Sequence, residues 1–235
     1  MAGYKLKPKQ IKSWSNSRWN DYALCPAKAK YKHLDKLPEP KSPQMQRGID
    51  IAQKEEDYFK GKLRTVPKEI GKYIATLFRV AKKQPDLVVE ENWGFDRDWN
   101  VVDYFDWNNC WLRIKVDVGW GSNGTVVHLR DNKTGKFSPE YNVDQYMEQL
   151  HLYAAGAAAR FPHAEEFHVA LWFTDADIQY PDVPLVITRK EALALQKRFT
   201  KQVQPMFNDT RFDPTPNNKC RWCHYRKTNG GPCKY

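Results

Sequence analysis

Leu112, Ile114, Val116 and Val118 alternate with Arg113, Lys115, Asp117 and Gly119, a period of two that fits a strand buried on one face. Turn chemistry follows at Gly121-Ser122-Asn123-Gly124, and Thr125 to Asp131 resumes as a second strand. Val127 and Leu129 share the face that carries Asp131 and Lys133. A hairpin therefore fixes the middle of the chain. Around it, Leu87 to Glu91 with Trp93 to Phe95, Phe167 to Phe173, and Leu185 to Ile187 read as further strands. Helices are expected over about Ser15 to Leu34, with a break or fresh first turn at Pro26, and from Pro43 onward with Ser42 as N-cap. In the second of these Met45, Ile49, Ala52 and Phe59 fall on one face. Three more helices are expected over Lys68 to Lys82, Val143 to Arg160 and Arg189 to Phe207. The order helices, strands, helix, strands, helix gives an α/β class with a small mixed sheet flanked by helices.

The chain of 235 residues can bury a substantial core as one domain. The prolines between Leu37 and Pro43 mark the longest linker-like stretch, and no internal repeat is present. Lys and Arg number 38 against 28 Asp and Glu, a formal net charge of +10, which favours a polyanionic partner, nucleic acid first. No apolar run is long enough to span a bilayer, so no membrane partner is expected. Met1 to Trp14 is basic and lacks the apolar stretch of a secretory signal, which points to a cytoplasmic protein. In that reducing compartment clustered cysteines serve as metal ligands or catalytic groups more often than as disulfides.

Two constellations carry chemistry. Asp117 and Asp131, at the ends of neighbouring strands, offer hard oxygen ligands to one divalent cation, and Lys133 lies on the face of Asp131. With a metal that polarises a phosphate and acidifies a bound water, the lysine can orient that water and offset developing charge. Read alone, the same Asp-x-Lys is a polar strand end. Gln149 and Tyr153 are four apart and share a helix face. The second constellation is Cys25, Cys220-x-x-Cys223 and Cys233, four soft thiolates suited to zinc or to an iron–sulfur cluster. By analogy with a covalent crosslink, such a tie restricts the unfolded chain by on the order of 5 kcal/mol. Cys110 fits neither constellation and reads as a small buried hydrophobe.

In order and spacing, Ile114-Lys115-Val116-Asp117, Asp131-Asn132-Lys133-Thr134-Gly135-Lys136 and Gln149-Leu150-His151-Leu152-Tyr153 resemble the motifs of RecB-like nucleases of the PD-(D/E)XK superfamily. Ser15-Asn16-Ser17-Arg18-Trp19, Tyr22, Cys25-Pro26, Leu37-Pro38 and Arg47-Gly48 are similar to the opening of these enzymes, so the resemblance covers nearly the whole chain. It implies a restriction-endonuclease-like core over about 43–208, with cluster-binding segments at about 15–34 and 217–235. It further implies a Mg²⁺- or Mn²⁺-dependent DNA nuclease, with an exonuclease of DNA processing or recombination as the expected form. In it Asp117, Asp131 and Asn132 stand at the metal, Lys133 is catalytic, and Gln149 and Tyr153 support the site. Glu90 or Glu91 holds the place of a family acid. In the AddB-type and CRISPR-associated relatives, one cysteine before the core and three after it hold a [4Fe–4S] cluster. That implies the same for Cys25, Cys220, Cys223 and Cys233, with zinc as the alternative because Cys223 to Cys233 is a long spacing. A phage or mobile-element setting, recombination or replication proteins as partners, and a homo-oligomer are compatible with the resemblance.

One departure bears on activity. The family's histidine ligand, four residues past the glycine of Arg47-Gly48, is replaced by Ala52, which cannot bind a cation. Of the six histidines, only His128 lies in the strand that carries Asp131. The resemblance therefore implies a chain that binds DNA and cleaves it poorly, or a nuclease-derived DNA-binding or adaptor protein.

Overall fold

The computed structural model describes residues 10–235; the basic stretch over residues 1–9 lies outside the described residues. By its internal contacts the chain divides into two compact units. One is Ser42–Arg198, and the other is the described part of Met1–Lys41 together with Phe199–Tyr235.

The larger unit begins with α3 (Pro43–Phe59) and α4 (Lys72–Ala81). Then come β1 (Val88–Phe95), β2 (Val101–Val102), β3 (Leu112–Trp120), β4 (Val126–Lys133), α5 (Pro139–Arg160), β5 (Glu166–Phe173) and β6 (Ile178–Thr188). The last helix, α6 (Arg189–Asn208), starts in this unit and ends in the other. Six strands form one sheet in the order β2-β1-β3-β4-β5-β6. Every pairing is antiparallel except β4 with β5, and α5 supplies the crossover that a parallel pair requires. The mixed sheet between helices agrees with the expected α/β class.

Alanines let α5 lie close on the sheet: Ala154, Ala155, Ala157 and Ala158 are buried, and a Cβ on Gly156 would stand 2.6 Å from Ile114 Cδ1 of β3. On the other face, Ile51, Tyr58 and Phe59 of α3 and Ile74 and Phe78 of α4 pack with Val118 and Trp172. Arg130 is buried there as well, its guanidinium 4.9 Å from the Trp120 ring and bonded to the carbonyls of Leu129 and His168.

Several boundaries differ from expectation for identifiable reasons. Helix α4 begins at Lys72 rather than Lys68, because Asp177 accepts the N–H groups of Tyr73 and Ile74 at that point. The segments at Leu87 and Trp93 are one strand, and β6 starts at Ile178, well before Leu185. In α3 the cap at Ser42 and Pro43 is as expected, but the apolar face is not: Met45, Ile49 and Ala52 are exposed. The buried stripe is Ile51, Glu55, Tyr58 and Phe59. A carboxylate inside that stripe hides it from hydrophobic periodicity.

In the smaller unit Ser15 caps α1 (Asn16–Leu24), and Pro26 opens α2 (Pro26–Ala29), which continues into a single π-helical turn over Lys30–Leu34. Arg18 reaches back to the carbonyl and hydroxyl oxygens of Ser13. Buried Asp21 is surrounded by Lys28, Lys32 and His33. Short 3₁₀ turns at Asn218–Trp222 and Lys227–Asn229 carry the cysteine-rich tail.

Among the described residues no helix is long and apolar enough to cross a membrane.

Candidate active site

The ladder between β3 and β4 ends with Val118 paired to Arg130, and the same register carried one residue further brings Asp117 beside Asp131, whose charge it feels. The ladder between β1 and β3 pairs Val89 with Val118 and Glu91 with Val116, so that Glu90 and Asp117 lie between these pairs and outside the pairing themselves. At this point the strands change face. Val118 and Val89 pack with the α3 and α4 core, whereas Ile114 lies under Gly156 of α5 and Glu91 pairs with Arg160. A strand of unbroken period two would keep 114 and 118 on one side. Glu90 has a φ of 56°, a left-handed conformation that costs a non-glycine residue about 1–3 kcal/mol.

Asp131 is 4% exposed and has both oxygens engaged. Oδ1 accepts from Gln149 Nε2 at 2.5 Å and lies 2.8 Å from the Tyr153 hydroxyl, while Oδ2 is 2.6 Å from Lys133 Nζ. Lys133 also donates to Gln149 Oε1 at 2.8 Å. The Tyr153 hydroxyl is equally close to the Lys115 carbonyl oxygen. Asp117 Oδ2 accepts the backbone N–H of Asn132 at 2.8 Å, and Asn132 Nδ2 donates to Glu55 Oε2 at 2.9 Å.

Asp117, Asp131, Asn132, Lys133, Gln149 and Tyr153 are thus brought together. Ala52 sits exposed on α3, and it is Glu55, three residues on, that bonds to Asn132 of this group. Motif reasoning gives no hint of Glu55, although its i+4 spacing from Ile51 places both on one face. Between the two neighbouring acids, Glu90 pairs with Lys115 beside Asp117, whereas Glu91 bonds to Trp93 and Arg160. Arg47-Gly48 also gains a reason. Arg47 forms a two-pronged ion pair with Asp175, which accepts the Gly135 N–H, and a Cβ on Gly48 would come within 2.9 Å of Thr134 Oγ1. The motif fastens α3 to the end of β4.

The electrostatics follow from this crowding. Burial, then the neighbouring Asp131, holds the Asp117 carboxyl well above the carboxylate range, and Glu90 adds to the rise. Burial pushes Glu55 up to about 8, against the bond from Asn132. Burial works against the Lys133 ammonium, but Asp131 and Asp117 outweigh it and raise its pKa. Asn132 Oδ1 and Glu55 Oε1 are buried without hydrogen-bond partners. Clustered acids and orphaned oxygens are what a hard divalent cation relieves, so the donor set suits Mg²⁺ or Mn²⁺. As the side chains stand, no group of three or more His, Cys, Asp or Glu among the described residues is arranged to hold a metal ion. Asp131 in particular is taken up by Lys133, Gln149 and Tyr153.

Cys25, Cys220, Cys223 and Cys233 all lie in the smaller unit, each half-buried and unpaired. Burial raises the Cys223 thiol, and Cys233 and Cys25 are near enough to add to it. Backbone N–H groups of Thr215 and Asn217 point at Cys25 and Cys220 Sγ, at 3.4 and 3.3 Å. Cys110 is buried elsewhere, its Sγ 3.3 Å from the Leu112 carbonyl.

No curated protein matches the sequence. Among solved structures, one described as a candidate exonuclease from Eubacterium rectale is similar with a TM-score of 0.50 and 15% identity, over 92% of this chain and 88% of that one. The structure of SSO0001 is similar with a TM-score of 0.45 and 14% identity, over 97% and 89%. The family model of the PD-(D/E)XK nuclease superfamily matches residues 49–228, a span that contains Glu55, both aspartates, Lys133, Gln149 and Tyr153, and the chain belongs to that superfamily.

Proposed function

We propose that this chain is a DNA exonuclease that hydrolyses phosphodiester bonds with Mg²⁺ or Mn²⁺. The observation that carries the proposal is the neighbouring pair Asp117 and Asp131 with Lys133 Nζ 2.6 Å from Asp131. Asp117 and Asp131 would hold the ion, with Glu90 and Glu55 adding negative charge beside them. Bound there, the ion supplies Lewis acidity toward the phosphate and a lowered pKa for a coordinated water. Lys133 is placed to orient that water and to offset charge growing on the phosphate oxygens. Gln149 holds Lys133 and Asp131 in register, and Tyr153 fixes the Asp131 carboxylate from behind. Exonuclease action is favoured over internal cutting by the description of the Eubacterium rectale relative.

The test is cleavage of end-labelled linear and of circular DNA, single- and double-stranded, with each metal. Linear DNA is expected to be shortened from its ends, and Asp131→Asn and Lys133→Ala to abolish the reaction. Cleavage that persists in Asp131→Asn, or none under any condition, overturns the proposal.

A second reading, a DNA-binding protein of reduced activity, is motivated by Ala52. Under it, Ala52→His raises metal-dependent cleavage; under the first reading Glu55 already supplies the α3 ligand group and the variant gains nothing. A cytoplasmic role in DNA processing or recombination accompanies either reading. We also propose that the four thiolates of the smaller unit hold a [4Fe–4S] cluster once their side chains turn toward it, supported by the influence of Cys25 and Cys233 on Cys223 and by the amides aimed at Cys25 and Cys220; zinc is the alternative.

A further inference from the structure

Net positive charge is not spread evenly along this chain. The smaller unit, residues 1–41 and 199–235, carries 17 Lys and Arg against five Asp and Glu, or +12. The sheet-bearing unit carries 21 against 23, or −2. The attraction for a polyanion therefore originates in the unit without the carboxylate site.

That unit also displays an exposed tryptophan in a basic setting. Trp222 closes the 3₁₀ turn Asn218–Trp222 and is 59% exposed. The Arg221 guanidinium carbon lies 3.7 Å from its ring centroid, and Lys219 Nζ lies 5.8 Å away. Lys219, Arg221, Arg226, Lys227 and Lys234 form no ion pair with a carboxylate among the described residues. An indole kept in water, with free cations on and around it, matches the two needs of an unpaired nucleotide: a ring to stack on the base and cations for its phosphates.

The contrast is Trp107, 70% exposed beside Phe105. Arg113 lies over its ring at 4.5 Å, but residues 96–111 around it hold four aspartates and one arginine, an excess of negative charge that Trp222 does not face. Exposure and an arginine on the ring are shared by both tryptophans; the net charge of the surrounding segment separates them.

We propose that Trp222, with Lys219 and Arg221, is a stacking platform for unpaired bases, so that the substrate strand is engaged as single-stranded DNA at the cysteine-bearing unit. This rests on the nuclease reading for its substrate and adds the strand state and the residue that reads it.

The test is binding in EDTA, where cleavage does not intervene, followed by fluorescence anisotropy and by quenching of tryptophan emission. The probes are an oligothymidylate strand, an abasic strand of equal length and a blunt duplex. The native chain is expected to bind oligothymidylate about tenfold more tightly than the abasic strand. Trp222→Ala removes that difference, Trp222→Phe keeps most of it, and Trp107→Ala leaves it unchanged. The comparison of thymidylate with abasic strand on the unaltered protein needs no variant to fold. Equal affinity for those two strands, or a preference that survives in Trp222→Ala, overturns the proposal. A preference that depends on Trp222 in a chain that cleaves nothing upholds it while the nuclease reading fails.

Discussion

Asn132 Nδ2 donates to Glu55 Oε2 at 2.9 Å and so joins the strand of the Asp-x-Lys motif to helix α3. The same residue's backbone N–H holds Asp117, so one asparagine orients two acids. Glu55→Gln keeps the shape and removes the charge. Metal-dependent cleavage is expected to fall about 10- to 100-fold with the fold intact, the usual effect of altering groups that orient metal ligands. Titrating Mn²⁺ against initial rates separates weaker metal binding, which excess Mn²⁺ rescues, from a loss that it does not.

Lys133 is held by Asp131 and by Gln149. Lys133→Ala is expected to lower kcat by about 100- to 1,000-fold, as loss of a charge stabiliser does. Gln149→Ala leaves the ammonium in place but loosens it, and a smaller loss is expected. Single-turnover rates at saturating DNA are the measurement, since binding is then complete.

The metal-free protein should lose stability as pH rises. The unfolded chain releases the Glu55 proton near its ordinary value of 4.5, whereas the folded chain keeps it to about 8. The folded state thus binds more protons across that interval, and stability is full below it and declines up to its upper end. Asp117, also raised, acts in the same direction. Melting temperatures in EDTA are expected to fall between about pH 4.5 and 8, and Glu55→Gln to flatten the slope.

Gly156 tests how closely α5 sits on β3. Gly156→Ala gains about 1 kcal/mol of helix propensity. It also drives a Cβ to 2.6 Å from Ile114 Cδ1, and overpacking of that kind costs about 1–3 kcal/mol. A net loss is expected. Adding Ile114→Val, which deletes the clashing methyl, should restore stability; denaturant midpoints of the two variants decide it.

The cysteines offer a test independent of catalysis. Protein purified without oxygen is expected to contain iron and sulfide and to absorb visible light, and changing Cys25, Cys220, Cys223 or Cys233 to Ser should remove both. Cys110→Ser should not, because that thiol lies buried against the Leu112 carbonyl. Zinc without iron would assign the site to the alternative.

The hairpin is legible in the sequence because its signal is local: alternation in β3, a glycine turn and alternation in β4. The nearness of Asp117 and Asp131 follows from that register. Glu55 is not legible, because a buried glutamate looks polar in sequence and its partners, Asn132 and Thr174, come from far along the chain. The two-residue β2 is too short to leave a period. The change of face at Glu90 is equally hidden, since 112 to 118 are all buried at even positions although they meet different helices.

The sheet's two margins have a consequence for how the protein behaves at high concentration. One margin is β2, only two residues long, and the other is β6, which contains Pro181 and Pro184 and so lacks two backbone donors. On its side β2 covers only Gly94 and Phe95 of β1, whereas the two prolines of β6 break the run of open hydrogen-bonding groups at the other margin. Joining of molecules sheet to sheet through β6 is thereby disfavoured where the chain accumulates locally.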